Sequence, residues 1–391
     1  MRHKDKIINR GYPMAEKATI KGQAGLKSDV INSHLCTDCG ACVNLCPYQA
    51  SYKDRVAVLF DCDIAEGRCY AFCPRTKVDL ASLRTDLYDE TDLTTEAGAI
   101  RAFFITRATD GKVRERAQHG GTVSTLMSLA LKEGLIEAAV MNRANGNGLP
   151  GLVTTLDSHQ AMSLGKSSFY TSPTVSQFNR IAATDVKSIG VVALPCQALA
   201  LAKMKQKPVS NKDNSIDKLR LVIGLFCGWA FSFDELDRLL SSRVNGGRIA
   251  GMDIPPSKFH TLEVYTAGGE KIEFSLDEVN RCVRGNCHYC FDMTAEFSDI
   301  SVGSARLPEG WETAKKWNQV IVRTVAGEKL MELARQKGVL EFRDIPEGNL
   351  ERLKAASMGK KKTAVKNLRL LSGEKDNLLY LSGNDPLFSL L

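Results

Sequence analysis

Twelve cysteines, at positions 36, 39, 42, 46, 62, 69, 73, 196, 227, 282, 287 and 290, hold most of the chemistry this sequence can offer. Seven of them fall within residues 36–73. Cys36, Cys39 and Cys42 are separated by two residues each, Cys46 follows after three more, and Pro47 comes next. That is the spacing of a bacterial iron–sulfur run. Soft thiolates at two-residue intervals wrap one face of a 4Fe–4S cubane, and the fourth cysteine, before proline, crosses to a second cluster. Zinc ligation does not call for a third cysteine two residues on and a fourth before proline.

The second run is short of ligands. Cys62, Cys69 and Cys73-Pro74 keep the ends of the pattern, with Ile64, Ala65 and Glu66 where a further cysteine belongs. In a two-cluster arrangement Cys36, Cys39 and Cys42 share a cluster with Cys73, while Cys46, Cys62 and Cys69 hold the other with one ligand missing. Three completions stand open: a 3Fe–4S centre, a ligand from outside the segment, or a carboxylate such as Asp63. The count of twelve cysteines matches three cubanes and makes Cys282 the candidate outside ligand.

Cys287 and Cys290 form a further pair at two-residue spacing. Cys196 stands where a predicted strand meets a helix, and Cys227 ends another predicted strand. Ligands leaving neighbouring strands converge at one edge of an open α/β sheet. A lone buried cysteine is ordinarily core, but these four together read as one metal-binding set. Gly120-Gly121, ahead of Thr122, Ser124 and Thr125, opens a predicted helix. Missing side chains let backbone approach a ligand, and free amides there favour a pyrophosphate or a flavin oxygen. An ordinary helix cap is the plain alternative, and His119 just before it reads as a solvated loop histidine or a weak ligand contact. Gly146-x-Gly148-x-x-Gly151 imitates a dinucleotide fingerprint but leads into a strand-like run instead of a helix, so it reads as a loop.

The elements that must position these residues begin near residue 99. Residues 99–109 have strand composition, and 120–136 carry apolar residues at helical spacing with Gly134 near the end. Short apolar runs at 138–143, 152–156, 187–195 and 219–228 alternate with helical stretches at 198–206 and 231–244, which argues an α/β core with a mixed sheet. Two alternating runs flank Gly268-Gly269 and predict a hairpin. The expected organisation is an N-terminal arm at 1–33, a small ferredoxin-like α+β iron–sulfur domain at 34–80, a linker at 81–98, the main domain at 99–345 and a helical basic tail at 346–391. That tail reads as a solvated amphipathic helix or a docking surface.

Composition sets the remaining limits. At 391 residues, 43% hydrophobic and 25% charged, the chain can bury a large core, which excludes wholesale disorder. Lysines and arginines number 52 against 45 acids. The basic residues are dispersed and not interleaved with aromatics, so no nucleic-acid role is expected. The basic start lacks an apolar stretch behind it, which predicts no signal peptide, and no transmembrane segment is expected. A cytoplasmic location follows, where cysteines serve metals in preference to disulfides.

The chain resembles the family of coenzyme F420 hydrogenase and dehydrogenase beta subunits over about residues 99–330, with the iron–sulfur segment fused ahead of it. The resemblance rests on the Gly120 to Ile136 segment, the Pro195-Cys196-Gln197 corner, Gly224-Leu225-Phe226-Cys227, the run from Cys287 through Glu296, Asp299 to Gly303, and Gly310-Trp311 ahead of an apolar strand. It implies one noncovalent FAD around Gly120, Gly121, Thr122, Ser124, Thr125 and Lys166, and a 4Fe–4S cubane on Cys196, Cys227, Cys287 and Cys290. Implied too is hydride exchange between FAD and coenzyme F420, with His119 and Lys166 as weak catalytic candidates. Asp292, Thr294 and Glu296 are expected to orient their loop. The expected partner is a catalytic or heterodisulfide-reductase-like electron-transfer subunit. A stand-alone reductase fed by external ferredoxin, and a purely electron-transferring subunit, are the alternatives.

Overall fold

Ile189–Ala193, an apolar run without alternation, and Asn318–Val322, apolar from Val320 on, are buried at every position, as strands covered on both faces must be. They lie inside an eight-stranded mixed sheet in the computed structural model, which describes residues 19–144, 150–164, 169–209, 215–244, 248–255, 260–373, 377–382 and 385–390. Strands are numbered along the chain: β1 Gln49–Tyr52, β2 Arg55–Val58, β3 Leu93–Thr94, β4 Gly98–Ala99, β5 Ala102–Ala108, β6 Ala138–Ala144, β7 Pro150–Thr155, β8 Ile189–Ala193, β9 Leu219–Leu225, β10 Ile249–Asp253, β11 Thr261–Thr266, β12 Lys271–Ser275, β13 Ile300–Ser304, β14 Asn318–Val322 and β15 Leu340–Arg343.

The main sheet runs β15-β5-β14-β13-β9-β8-β6-β7. Its centre, β13-β9-β8-β6, is parallel, and the flanking pairs are antiparallel. Parallel neighbours need helical crossovers, and the helices Thr122–Lys132, Thr174–Ala182, Pro195–Lys205 and Val325–Gln336 supply them or cover the sheet faces. The carboxyl ends of β5, β6, β8, β9 and β13 therefore share one edge, which also receives the start of β14. The glycine-rich imitation of a fingerprint joins β6 to the antiparallel β7. Its residues 145–149 lie outside the described residues, and the strand after it is the predicted one.

A smaller three-stranded antiparallel sheet, β10-β11-β12, packs one face on the helix Phe233–Ser241 around Phe231, Leu236, Leu262, Val264 and Phe274. Gly269 turns β11 into β12 with φ +86°. The N-terminal cysteine segment carries only the hairpin β1-β2 and short helical turns. Leu26 and Val30, placed in the expected arm, are buried with Leu35, Val43, Val56 and Tyr70, so residues from 23 onward belong to that lobe.

Two segments differ from expectation. Residues 81–98 are not an open linker: the helix Leu80–Leu87 buries Leu80 and Leu83, and Tyr88 donates to the Glu296 carbonyl at 2.8 Å. The C-terminal helix, Asn349–Ser372, is no solvated tail. Lys361 is wholly buried against the Glu296 carboxylate, and Ser357 donates to the Glu96 carbonyl at 2.6 Å. In both cases partners far away in sequence provide the burial, and local composition cannot show them. Among the described residues no helix is long and apolar enough to cross a membrane.

Candidate functional site

Cys36, Cys39, Cys42 and Cys73 line one small cavity together with Thr37, Asp38 and Val56. Left-handed backbone at Asp38 and Gly40 folds their loop back on itself. A side chain on Gly40 would strike the Pro173 carbonyl oxygen at 2.7 Å, because the loop is pressed onto the start of the helix Thr174–Ala182. Val175 donates its N–H to the Cys39 carbonyl at 3.0 Å, and Asn179 donates to the Val43 carbonyl at 2.9 Å. From the other side, Arg284 donates to the Thr37 carbonyl at 3.0 Å and the Cys36 carbonyl at 3.3 Å. Burial pushes the thiols of Cys36, Cys39 and Cys42 above the ordinary range and that of Cys73 up to about 11.

The second group sits at the carboxyl edge of the sheet. Cys196 follows Pro195 in the first turn of the helix after β8, and Cys227 lies two residues past β9. Cys227 donates its N–H to the Met293 carbonyl at 2.9 Å, while the Cys287 sulfur accepts the Ala230 N–H at 3.4 Å. Each of Cys196 and Cys227 feels the charges of Cys287 and Cys290. Burial is the main cause that lifts their thiols, Cys196 up to about 12. The loop behind them is held by its own acids: Asp292 accepts the N–H groups of Thr294 and Glu296, at 2.9 and 2.8 Å. Glu296 is gripped by Lys361 and by Arg84 at 3.0 Å. These are orienting roles.

A third group is nearer the surface. Cys69 feels the charges of Cys46 and Cys62, and the loop between them exposes Asp61, Asp63, Ile64 and Glu66. Cys282 is not with them. It is buried in the small-sheet core beside Phe231 and Leu236, with its thiol toward the Glu278 carbonyl at 3.8 Å. Its charged neighbours are Glu235 and Arg238, so the geometry removes it as the completing ligand. Among the described residues no three His, Cys, Asp or Glu side chains close on a single metal ion.

The three groups are consecutive. Cys39 feels the charge of Cys196, and Cys42 that of Cys69. A buried lysine and a half-buried one accompany the inner two. Lys203 donates to the Cys73 and Thr76 carbonyls at 2.7 and 3.2 Å, and burial lowers its pKa to about 8 although Cys73 and Cys39 oppose the fall. Lys360 donates to the Cys227 and Asp292 carbonyls at 2.7 and 2.9 Å. Burial works against its charge, yet Cys290, Cys227 and Asp292 hold its pKa above the ordinary lysine value. No sequence signal marked Lys360. Lys203 could have been noticed as the one cation inside the apolar stretch from Ala198 to Ala202 and Met204.

At the Gly120-Gly121 corner the residues expected to contact a cofactor have partners within the protein. A side chain on Gly120 would meet the Asn318 Oδ1 at 2.7 Å, so protein already fills the space its absence opens. Thr122 donates its N–H to that same oxygen at 3.2 Å, and its hydroxyl pairs with Thr106 at 2.9 Å. Ser124 donates to the Leu164 carbonyl and Thr125 to the Gly121 carbonyl. Each of these hydroxyls has a partner within the fold and keeps acceptor capacity besides. His119 is half-buried and not a solvated loop histidine; it meets the Trp311 ring edge-on at 5.8 Å, and loss of solvent lowers its pKa to about 4. Lys166 lies outside the described residues. Side-chain oxygens that are buried without a partner include Thr171 Oγ1 and Gln319 Oε1. Thr171 adjoins Ser172, whose carbonyl accepts from Gln197 beside Cys196, and Gln319 pairs with Gly303 near the end of β13.

Comparison with known proteins decides the family. The family described as coenzyme F420 hydrogenase/dehydrogenase beta subunit matches with its N-terminal part over residues 103–179 and with its C-terminal part over residues 186–348. A "4Fe-4S binding domain" matches residues 29–52. The chain is 30% identical to the F subunit of the F(420)H(2) dehydrogenase of Methanosarcina mazei, over 83% of this chain and 88% of that one. It is likewise 30% identical to the beta subunit of the coenzyme F420 hydrogenase of Methanothermobacter thermautotrophicus, over 69% and 95%. This chain belongs to the family of coenzyme F420 hydrogenase/dehydrogenase beta subunits. A chain from the F420-reducing NiFe hydrogenase complex of Methanosarcina barkeri shares the fold, with a TM-score of 0.64 over 71% of this chain and 94% of that one, at 24% identity. As a member of this family the chain is an iron–sulfur oxidoreductase subunit.

Proposed function

We propose that this member of the beta-subunit family exchanges a hydride with coenzyme F420 at a bound FAD and relays the electrons singly, through iron–sulfur clusters, to a partner subunit. The observation that carries the reading is the series of three cysteine groups, running from the carboxyl edge of the sheet to an exposed loop. Cys196, Cys227, Cys287 and Cys290 would hold one 4Fe–4S cluster, Cys36, Cys39, Cys42 and Cys73 a second, and Cys46, Cys62 and Cys69 a third. The residues fit such groups. All donors are thiols, and Lys203, buried, and Lys360, half-buried, stand beside the inner two, so an anionic cluster suits those two pockets.

FAD supplies, when bound, the conversion between two-electron hydride exchange and one-electron transfer. The family resemblance supports a position for it at the carboxyl edge. The resemblance gives it Gly120, Gly121, Thr122, Ser124 and Thr125; Thr171 and Gln319, with partnerless oxygens at that edge, suit a polar cofactor rim as well. The chain's own contribution is to exclude water from the inner thiols, to hold the Cys287–Cys290 loop through Asp292, and to present the third group to a partner. Tyr48 and Phe60, with ring centroids 5.9 Å apart, and Leu59 and Ile64 are exposed beside that group.

Iron, sulfide and flavin content of anaerobically purified protein, followed by addition of reduced coenzyme F420 and separately of NADPH, tests this. The expected result is about eleven or twelve irons, one FAD, and flavin bleaching by the deazaflavin only. Full iron with no bleaching by either donor would discard the hydride-exchange reading.

A further inference from the structure

Arg75 is a buried guanidinium placed between the two inner cysteine groups. Its backbone N–H points at the Cys73 sulfur at 3.4 Å. Its side chain crosses to the other group, donating to the Tyr289 carbonyl at 3.2 Å and the Asn286 carbonyl at 3.4 Å. Those two residues flank Cys287 and adjoin Cys290 in sequence. The guanidinium carbon lies 4.6 Å from the Tyr380 ring centroid, so the C-terminal segment closes over it. Its Nε is buried without a partner, and among the described residues no carboxylate pairs with it. A buried cation balanced only by carbonyls and an aromatic face is costly unless an anion accompanies it. Cysteine sulfurs on both sides would supply that anion once they ligate a cluster: Cys196, Cys287 and Cys290 on one, Cys73 on the other.

We propose that Arg75 is a shared counter-charge that sets the reduction potentials of both inner clusters together. The inference rests on the reading that both groups hold clusters. A fixed positive charge favours the more negative, reduced form of any nearby centre. One charge serving two centres raises both, and thereby keeps electron transfer between them near level in either direction. Arg284 also reaches both groups, through the Cys36 carbonyl on one side and the charges of Cys196 and Cys287 on the other, but Asp54 lies 3.6 Å from its Nε; the two lysines are one-sided. Lys203 faces Cys73 and Cys39, and Lys360 faces Cys227, Cys287 and Cys290. Arg75 is a positioning and tuning residue, since it touches no substrate.

The test is a mediated redox titration of anaerobically purified full-length protein, following the cluster signals by electron paramagnetic resonance. Iron and sulfide contents are measured on each sample. Lys203→Met and Lys360→Met each shift one signal and so assign the two centres. Arg75→Gln keeps donors for the carbonyls but removes the charge, and both midpoints are expected to fall while iron content stays at the wild-type value. A fall in only one signal, or in neither, with iron intact overturns the proposal. If Arg75→Gln cannot hold its iron, Arg75→Lys decides. Its shorter side chain draws the charge toward Cys73, so the Cys196-side signal falls; no change in either signal overturns the proposal. Wild-type protein lacking cluster iron would instead overturn the reading of the cysteine groups on which the proposal stands.

Discussion

His119 shows how one side chain can be misread from its neighbours in sequence. Beside two glycines it reads as a loop histidine, yet it is half-buried against Trp311 with Nδ1 enclosed and lacking a partner. Burial, with the Lys315 carbonyl opposing, lowers its pKa to about 4. The unfolded chain then binds more protons than the folded one between about 6.5 and about 4, so stability is full above that window and falls as pH drops through it. Replacing His119 by Gln should flatten this dependence. Urea unfolding across that range should show wild-type losing up to about 3 kcal/mol more than the variant. Equal slopes would mean that the imidazole does not titrate in this way.

At the scale of elements, the C-terminal helix and the loop after Cys290 depend on each other. Glu296 is 1% and Lys361 0% exposed, and Arg84 completes the group from the helix Leu80–Leu87. Removing one partner of a buried pair leaves an uncompensated charge, at about 3–5 kcal/mol. Glu296→Gln should therefore lower the thermal midpoint markedly and hasten loss of visible iron–sulfur absorption in air, because the same loop carries Cys287 and Cys290. A variant with wild-type melting and bleaching would show the ion pair to be incidental. The helical propensity and basic character of this segment are legible in its sequence. Which lysines turn inward is not, because their acids and carbonyls lie at residues 227, 292 and 296.

For the whole molecule, the exposed apolar group of Tyr48, Leu59, Phe60 and Ile64 lies beside the outermost cysteines, where the proposed relay reaches the surface. The Tyr48–Phe60 pair, with exposed acids Asp63 and Glu66 in the same segment, suits a protein partner with an apolar contact and a basic rim. Phe60→Glu combined with Tyr48→Glu should leave reduction of a small viologen dye by reduced coenzyme F420 unchanged. The same pair should slow electron delivery to the partner protein about tenfold or more, in line with loss of a central aromatic anchor. Equal losses with dye and partner would place the defect in the relay and not in docking.

By itself the sequence determined the strand and helix order of the main domain, the family, and which cysteines are near in spacing. These follow from local periodicity and from ligand intervals that only a few metal centres accept. The left-handed turn at Gly40 and the hairpin at Gly269 belong to the same class, being set by a few adjacent residues. Tertiary structure alone decided that Cys282 is core, that Asn318 fills the space beside Gly120, and that Arg75 lies between two thiol groups. Each of those outcomes joins segments far apart in the chain. Burial and charge balance at such points arise only when the sheet edge, the cysteine loop and the C-terminal segment are packed together.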